Sequence, residues 1–185
     1  MSRLVVVDLV PAGLKLVRRV PVEDARGSLT RMFCAADLSA AGWTKPIAQI
    51  NHTRTRIRGT VRGLHFQHPP HAEMKLVSCI RGEVWDVAVD VRAGSPTFLS
   101  WHAEHLSADN GCALLIPEGF AHGFQTLSPD VEMLYFHSSF HAPNAEDGLN
   151  PRDPKLAIRW PVPVAGLSPR DARHPMVTEA FTGIA

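Results

Sequence analysis

With 185 residues, 45% of them hydrophobic and 20% charged, the chain can bury a core without disulfides or a structural metal and is too apolar to be mostly disordered. A net charge of +1 gives a weak long-range field, so the composition calls for neither nucleic acid nor an anionic membrane as partner. Three widely spaced cysteines, Cys34, Cys79 and Cys112, match neither a disulfide framework nor a Cys-x-x-Cys metal site, and they point to a reducing cytoplasm.

The apolar run within Met1 to Pro11 is broken by Asp8 and is followed by no small-residue cleavage site, so no signal peptide is expected. No later stretch approaches the ~20 apolar residues of a membrane-spanning helix. Ala35 to Ala41 predicts a helix of a turn or two. The middle of the chain is a succession of short β-type segments bounded by turn residues. Lys75 to Ile80 and Val84 to Val91 are expected to be adjacent antiparallel strands, joined at Arg81-Gly-Glu83, where Gly82 can adopt the positive φ of a tight hairpin. Further strands are expected at Thr97 to His105, Ala113 to Ile116, Gly123 to Leu127 and Glu132 to Ser138. Short strands with few short helices predict an all-β protein, and closing them into a barrel or a two-sheet jelly roll covers edges that would otherwise template aggregation. The Pro-rich tail, 151–185, is expected to wrap over the barrel, so residues 1–185 read as one domain. Within it, Ser168-Pro169-Arg170-Asp171 reads as a helix start, with Ser168 as cap and Pro169 in the first helical position.

In the strand Val84 to Val91, side-chain alternation puts Trp85, Val87, Val89 and Val91 on one face and Asp86 and Asp90 on the other, with Val84 and Ala88. For a lone strand the acids would face solvent. A barrel, however, could converge them with Lys75, Arg62, His65 and Tyr135 on one cavity. Each of these residues also has a plain structural role. Tyr135, the sole tyrosine, could be a core ring with a bonded hydroxyl; His65 could be a satisfied structural histidine; Asp171, three residues after Ser168, could complete a capping box. His65, His68, His71 and Glu73 loosely resemble a metal-binding barrel, but the spacing and the intervening Pro69-Pro70 do not put ligands on one strand face, so no metal is expected. Arg54, Arg56, Arg58 and Arg62 form either a solvated strand face or a contact for a small phosphate ligand.

Five motifs go further: Arg62-Gly-Leu-His-Phe-Gln67, Lys75-Leu-Val77, Gly82-Glu-Val-Trp-Asp-Val-Ala-Val-Asp90, Ser95-Pro-Thr-Phe98 and Ile116-Pro-Glu-Gly-Phe-Ala-His-Gly-Phe124. With Asp153-Pro154, Trp160-Pro161 and Leu167-Ser-Pro-Arg-Asp171, the chain closely resembles the dTDP-4-dehydrorhamnose 3,5-epimerases from about Asp24 to Asp171. The resemblance implies a cupin-type jelly roll, a homodimer, a nucleotide-sugar substrate and no metal or other cofactor. It assigns His65 as base, Asp171 as its orienting partner, Tyr135 as acid on the opposite face, and Lys75 at the sugar's carbonyl oxygen. It also implies a ligand-binding set of Arg26, Gln49, Asn51, Arg62, His122, Glu146 and Arg170, with Phe140 stacking on the nucleobase.

The chemistry needs this cast. A ketone at C4 acidifies the hydrogens at C3 and C5, because the carbanion left behind is an enolate whose charge sits on oxygen, and a fixed cation stabilises it. A histidine, with an ordinary pKa of ~6.5, suits proton removal near neutrality, while a tyrosine at ~10 stays protonated and can donate. Taking a proton from one face and returning it to the other inverts the centre. After Arg26-Gly27 the family typically continues with phenylalanines and a glutamate, where this chain has Ser28-Leu-Thr-Arg31, and His141 replaces a tyrosine after the stacking ring. The nucleobase therefore stays open among dTDP, CDP, GDP or another, as does inversion at C3, C5 or both. Two other functions remain open at this point: a metal-dependent cupin oxygenase or isomerase using His65, His71 and Glu73, and a non-catalytic sugar-nucleotide binding module.

Overall fold

The computed structural model describes residues 3–185; Met1 and Ser2, the start of the expected domain, lie outside the described residues. The strands are β1 (Leu4–Asp8), β2 (Lys15–Arg19), β3 (Val22–Asp24), β4 (Gly27–Leu29), β5 (Gln49–Thr55), β6 (Val61–Gln67), β7 (Lys75–Arg81), β8 (Glu83–Asp90), β9 (Trp101–Ser107), β10 (Cys112–Ile116), β11 (Phe120–Thr126), β12 (Val131–His137) and β13 (Glu146–Gly148). The helices are α1 (Ala35–Ser39) and α2 (Pro169–Ala172). Two antiparallel sheets, β1-β2-β10-β7-β12-β5 and β13-β6-β11-β8-β9, form the body, and β3 and β4 make a separate hairpin. The expected all-β, cupin-type jelly roll is borne out.

Alternation along the strands builds the layers. Leu16, Val77, Leu114 and Met133 of the six-stranded sheet meet Val84, Ala88 and Phe124 of the five-stranded one between the sheets. Burying the Val, Leu, Met and Phe side chains among them contributes roughly 1.5–3 kcal/mol each. The outer face of the six-stranded sheet, with Leu76, Leu115 and Phe136, is covered by Leu38, Ala41 and Trp43 from α1 and the residues after it. The outer face of the other sheet, with Val87, Val89 and Val91, is covered by Leu156, Val177 and Ile184 of the tail.

Two local expectations are corrected, the pairing of β7 with β8 and the start of β9. Strands β7 and β8 do not pair with each other: β7 lies between β10 and β12, and β8 lies between β11 and β9. Gly82, at φ 74°, carries the chain from one sheet to the other, and a Cβ there would fall 2.4 Å from Ser128 Oγ. A turn glycine signals a reversal, but whether the flanking strands pair or separate into two layers depends on distant partners. The acids of β8 turn inward, as closure into a barrel implies, because the tail buries one face of that strand and the second sheet buries the other. Asp86 is fully buried. Asp90 accepts from Ser95 Oγ and Thr97 Oγ1, each at 2.6 Å, and from Arg92 Nη2 at 2.7 Å. These bonds hold residues 95–97 in a turn, so β9 begins at Trp101 and not at Thr97.

One irregularity positions the site. In the β6–β11 pair, His65 faces His122 but Arg62 faces Phe124, so β6 carries an extra residue against β11. Regular alternation would put Arg62 and His65 on opposite faces; the bulge puts both into the interior. Close approach makes this possible, since a Cβ on Gly63 would meet the Cα of Gly123 at 2.5 Å.

Candidate active site

A cavity of about 670 Å³ is lined by both sheets and by the tail. From β6 come His65 and Arg62, from β7 Lys75, from β11 His122, from β12 Tyr135 and His137, from β5 Gln49 and Asn51, and from the tail Arg170 and Asp171. The bridge between Thr60 and Gly166 fixes the tail beside β6.

His65 and Asp171 are joined directly. His65 Nε2 lies 2.8 Å from Asp171 Oδ1, across 106 residues of chain, and Asp171 Oδ2 accepts from the Gly63 backbone N–H at 3.2 Å. Ser168 caps α2 as expected, its Oγ accepting from the Asp171 N–H at 3.0 Å. The Asp171 carboxylate is thereby turned toward β6 instead of back onto its own helix. Burial pushes its pKa up, but the His65 bond and charge and the Gly63 N–H outweigh that and hold it below the ordinary value. With Nε2 engaged, Nδ1 is the nitrogen of His65 left free to exchange a proton. His65's side chain is 27% exposed, at the mouth of the cavity.

From the six-stranded sheet, Tyr135 is only 9% exposed yet lines the cavity. Burial pushes its phenol well above the ordinary value, outweighing the opposing influence of the Thr53 hydroxyl, so it is held protonated. His122 lies edge-on to the Tyr135 ring at 6.2 Å, its Nε2 held 3.0 Å from both oxygens of Asp86. Lys75 Nζ donates to the His65 carbonyl oxygen at 3.4 Å and pairs with Glu73 Oε1 at 3.1 Å.

At the rim, Glu146 pairs with Arg170 at 2.6 Å and with His141 Nε2 at 2.9 Å. The His141 backbone N–H donates to Gln49 Oε1 at 2.9 Å. Of the four arginines in the 54–62 run, Arg62 lines the cavity with its Nε on Thr55 Oγ1, whereas Arg54 is bonded to Asp130 and Arg58 to the Leu127 carbonyl.

Ten of the twelve residues expected at the site, all but Arg26 and Phe140, therefore line this one cavity. Arg26 stands exposed at the turn of the β3–β4 hairpin, bonded to Asp24 at 2.7 Å, and that hairpin joins neither sheet. Phe140 is 70% exposed, adjoining the rim residue His141. The metal alternative loses its ligand set: His71 is exposed and outside the cavity, and the oxygens of Glu73 are engaged by Lys75 and His137. Among the described residues, the one trio of metal-type ligand atoms, within 4.8 Å of one another, is His65, Asp171 and His174, of which two are the hydrogen-bonded dyad. Sequence reasoning missed His137 and His174. His137 had a signal: it lies two residues after Tyr135, on the same face of one strand.

The dTDP-4-dehydrorhamnose 3,5-epimerase family model matches residues 10–179. A dTDP-4-dehydrorhamnose 3,5-epimerase from Sinorhizobium fredii is 40% identical, covering 91% of this chain and 87% of its own. A dTDP-4-dehydrorhamnose 3-epimerase from Streptomyces niveus is also 40% identical, covering 92% of this chain and 84% of its own. The crystal structure of dTDP-6-deoxy-D-glucose-3,5-epimerase from Legionella pneumophila, in complex with dTDP-4-keto-L-rhamnose, superposes with a TM-score of 0.91 at 34% identity, covering 98% of each chain. A match this long, over a chain whose motif residues converge on one cavity, means that the chain belongs to the dTDP-4-dehydrorhamnose 3,5-epimerase family.

Proposed function

We propose that the chain is a carbohydrate epimerase that inverts C3, C5 or both of a nucleotide-linked 4-keto-6-deoxyhexose through an enolate. What supports this reading is that the hydrogen-bonded His65–Asp171 pair, with His65 on one sheet, and Tyr135 and Lys75 on the other all line one sugar-sized cavity. His65 takes the proton beside the ketone, and Asp171 fixes the imidazole's tautomer and stabilises the imidazolium that forms. Lys75 holds the enolate oxygen, and a preorganised cation in such a site supplies a large part of the rate. Tyr135 returns a proton to the far face. Gln49, Asn51, Arg62, His122, Glu146 and Arg170 bind the rest of the substrate, with Arg62 and Arg170 the cations available to its phosphates.

A homodimer fits this reading, because the exposed hairpin bearing Arg26, with Leu29 beside it, is free to reach a second copy's cavity, where Arg26 and Phe140 would serve the nucleotide. Light scattering tests that mass. Three free cysteines support a reducing compartment, and among the described residues no helix is long and apolar enough to cross a membrane. The tail's packing on the five-stranded sheet supports one folding unit.

The test is proton exchange in heavy water with dTDP-, CDP- and GDP-linked 4-keto-6-deoxyhexoses, followed by NMR. Deuterium is expected at C3, C5 or both, with one nucleotide favoured. No incorporation into any of the three sinks the reading, and with it the choice of an enzyme over a binding module.

A further inference from the structure

Glu73 lines the cavity with its Oε1 3.1 Å from Lys75 Nζ. A carboxylate this close turns the ammonium into half of a dipole, whose field at a third atom falls off far faster than that of a lone charge. Its other oxygen, Oε2, lies 2.8 Å from His137 Nδ1. His137 also lines the cavity, with its ring stacked on Tyr135 at 6.0 Å and 20°. The side chains of Lys75, Glu73 and His137 are only 9–10% exposed, so water screens their mutual charges poorly. With His137 neutral, Lys75 and Glu73 sum to zero; with His137 protonated, the trio carries one net positive charge.

We propose that Glu73 and His137 are positioning residues for Lys75, and that protonation of His137 decides whether a net positive charge is available to the enolate oxygen. This rests on the reading of Lys75 as the cation at the sugar ketone. When His137 is protonated, one carboxylate is shared by two cations and Lys75 acts on the substrate. When His137 is neutral, Glu73 is left to Lys75 and cancels it. Asn51 Nδ2 lies 3.4 Å from His137 Nε2, and its amide can turn to present oxygen instead, which makes it a partner for either state of the ring.

The surroundings leave the control with this trio. From β5, Gln49 and Asn51 are neutral; from β12 the neighbour is Tyr135; from β7 and the residues before it come Lys75 and Glu73. Beyond Tyr135 lies the His122–Asp86 pair. Burial pushes Glu73 up, but the Lys75 charge and the His137 hydrogen bond outweigh it and keep the carboxylate ionised below its ordinary value. Tyr135, raised above its ordinary value, stays protonated through the range in which a histidine titrates. A neutral His137 is therefore expected to lower kcat.

The experiment compares kcat–pH profiles of the wild type, His137→Gln, Glu73→Gln and the double variant. The wild type should show a descending limb whose midpoint coincides with the His137 titration read by NMR. His137→Gln should lose that limb and about tenfold in kcat at the wild-type optimum, with KM little changed. Adding Glu73→Gln should restore most of the loss, because Lys75 then has no counter-charge. No restoration in the double variant, or a descending limb that survives in His137→Gln, overturns the proposal. A purely structural histidine would give losses that add. A second arm needs no turnover: the carbon-13 titration of the Glu73 carboxylate should move up in His137→Gln, and an unmoved titration overturns the charge sharing. Absence of exchange in the wild type with a moved Glu73 titration would reject the epimerase reading and leave the charge sharing standing.

Discussion

The two flanks of the cavity are built differently. His65 stands on a bulged strand and takes its partner, Asp171, from a four-residue helix in the tail. Tyr135 and Lys75 belong to neighbouring strands of one sheet, where Tyr135 pairs with Val77 and His137 with Lys75. His65, the proposed base, is thus partly exposed and held by a long-range clasp, while Tyr135, the proposed acid, is sealed and held by a hydrogen-bonded ladder. The difference suits the tasks proposed for them. A base that must release a proton to solvent between turnovers gains from exposure, whereas an acid kept protonated gains from burial, which penalises its charged form.

The largest effect expected from breaking this comparison is at the open flank. His65→Asn should lower both deuterium wash-in and product formation by roughly 10²- to 10⁴-fold, since no proton is then removed. Equal loss of both signals is the expected result, and retained wash-in would move the base elsewhere. Next comes the sealed flank. Tyr135→Phe should cut inversion by roughly 10²-fold while leaving wash-in measurable, because His65 can still remove a proton and return a deuteron to the same face. Equal loss of exchange and inversion would mean that the two flanks do not divide the work. The smallest effect should come from the clasp itself. Ser168→Ala removes the cap of α2 and should cost about 1 kcal/mol, read by chemical denaturation, with kcat reduced more than KM is changed. Unchanged kcat despite the lost stability would show that the position of Asp171 does not depend on its helix.

How far these features were legible depends on how local they are. The strands β10 and β12 and the Ser168 cap follow from spacing and residue type alone, and all three form where expected. Arg62 and His65 illustrate the limit. Their separation by three residues reads as opposite faces of a strand, and the bulge at Gly63, visible only against β11, reverses that. Gly82 is a second case: its turn was legible, but not that it separates two sheets. Asp86 is a third, since an acid on a strand reads as solvent-facing until a second sheet covers it. Glu73 and His137, 64 residues apart, carry no sign in the sequence that they share a bond.

The sequence by itself determined the all-β class, the ordered motifs that mark the family, and which residues are proposed as base, acid and cation. Periodicity, turn residues and motif spacing are set within a few bonds of each residue, so they can be read in one dimension. Tertiary structure alone decided which faces were inner, which carboxylate met which histidine, and which carboxylate stands beside Lys75. Those outcomes come from pairings between distant segments whose local conformations are nearly equal in energy, so only closure of the two sheets and the tail around one cavity chooses among them.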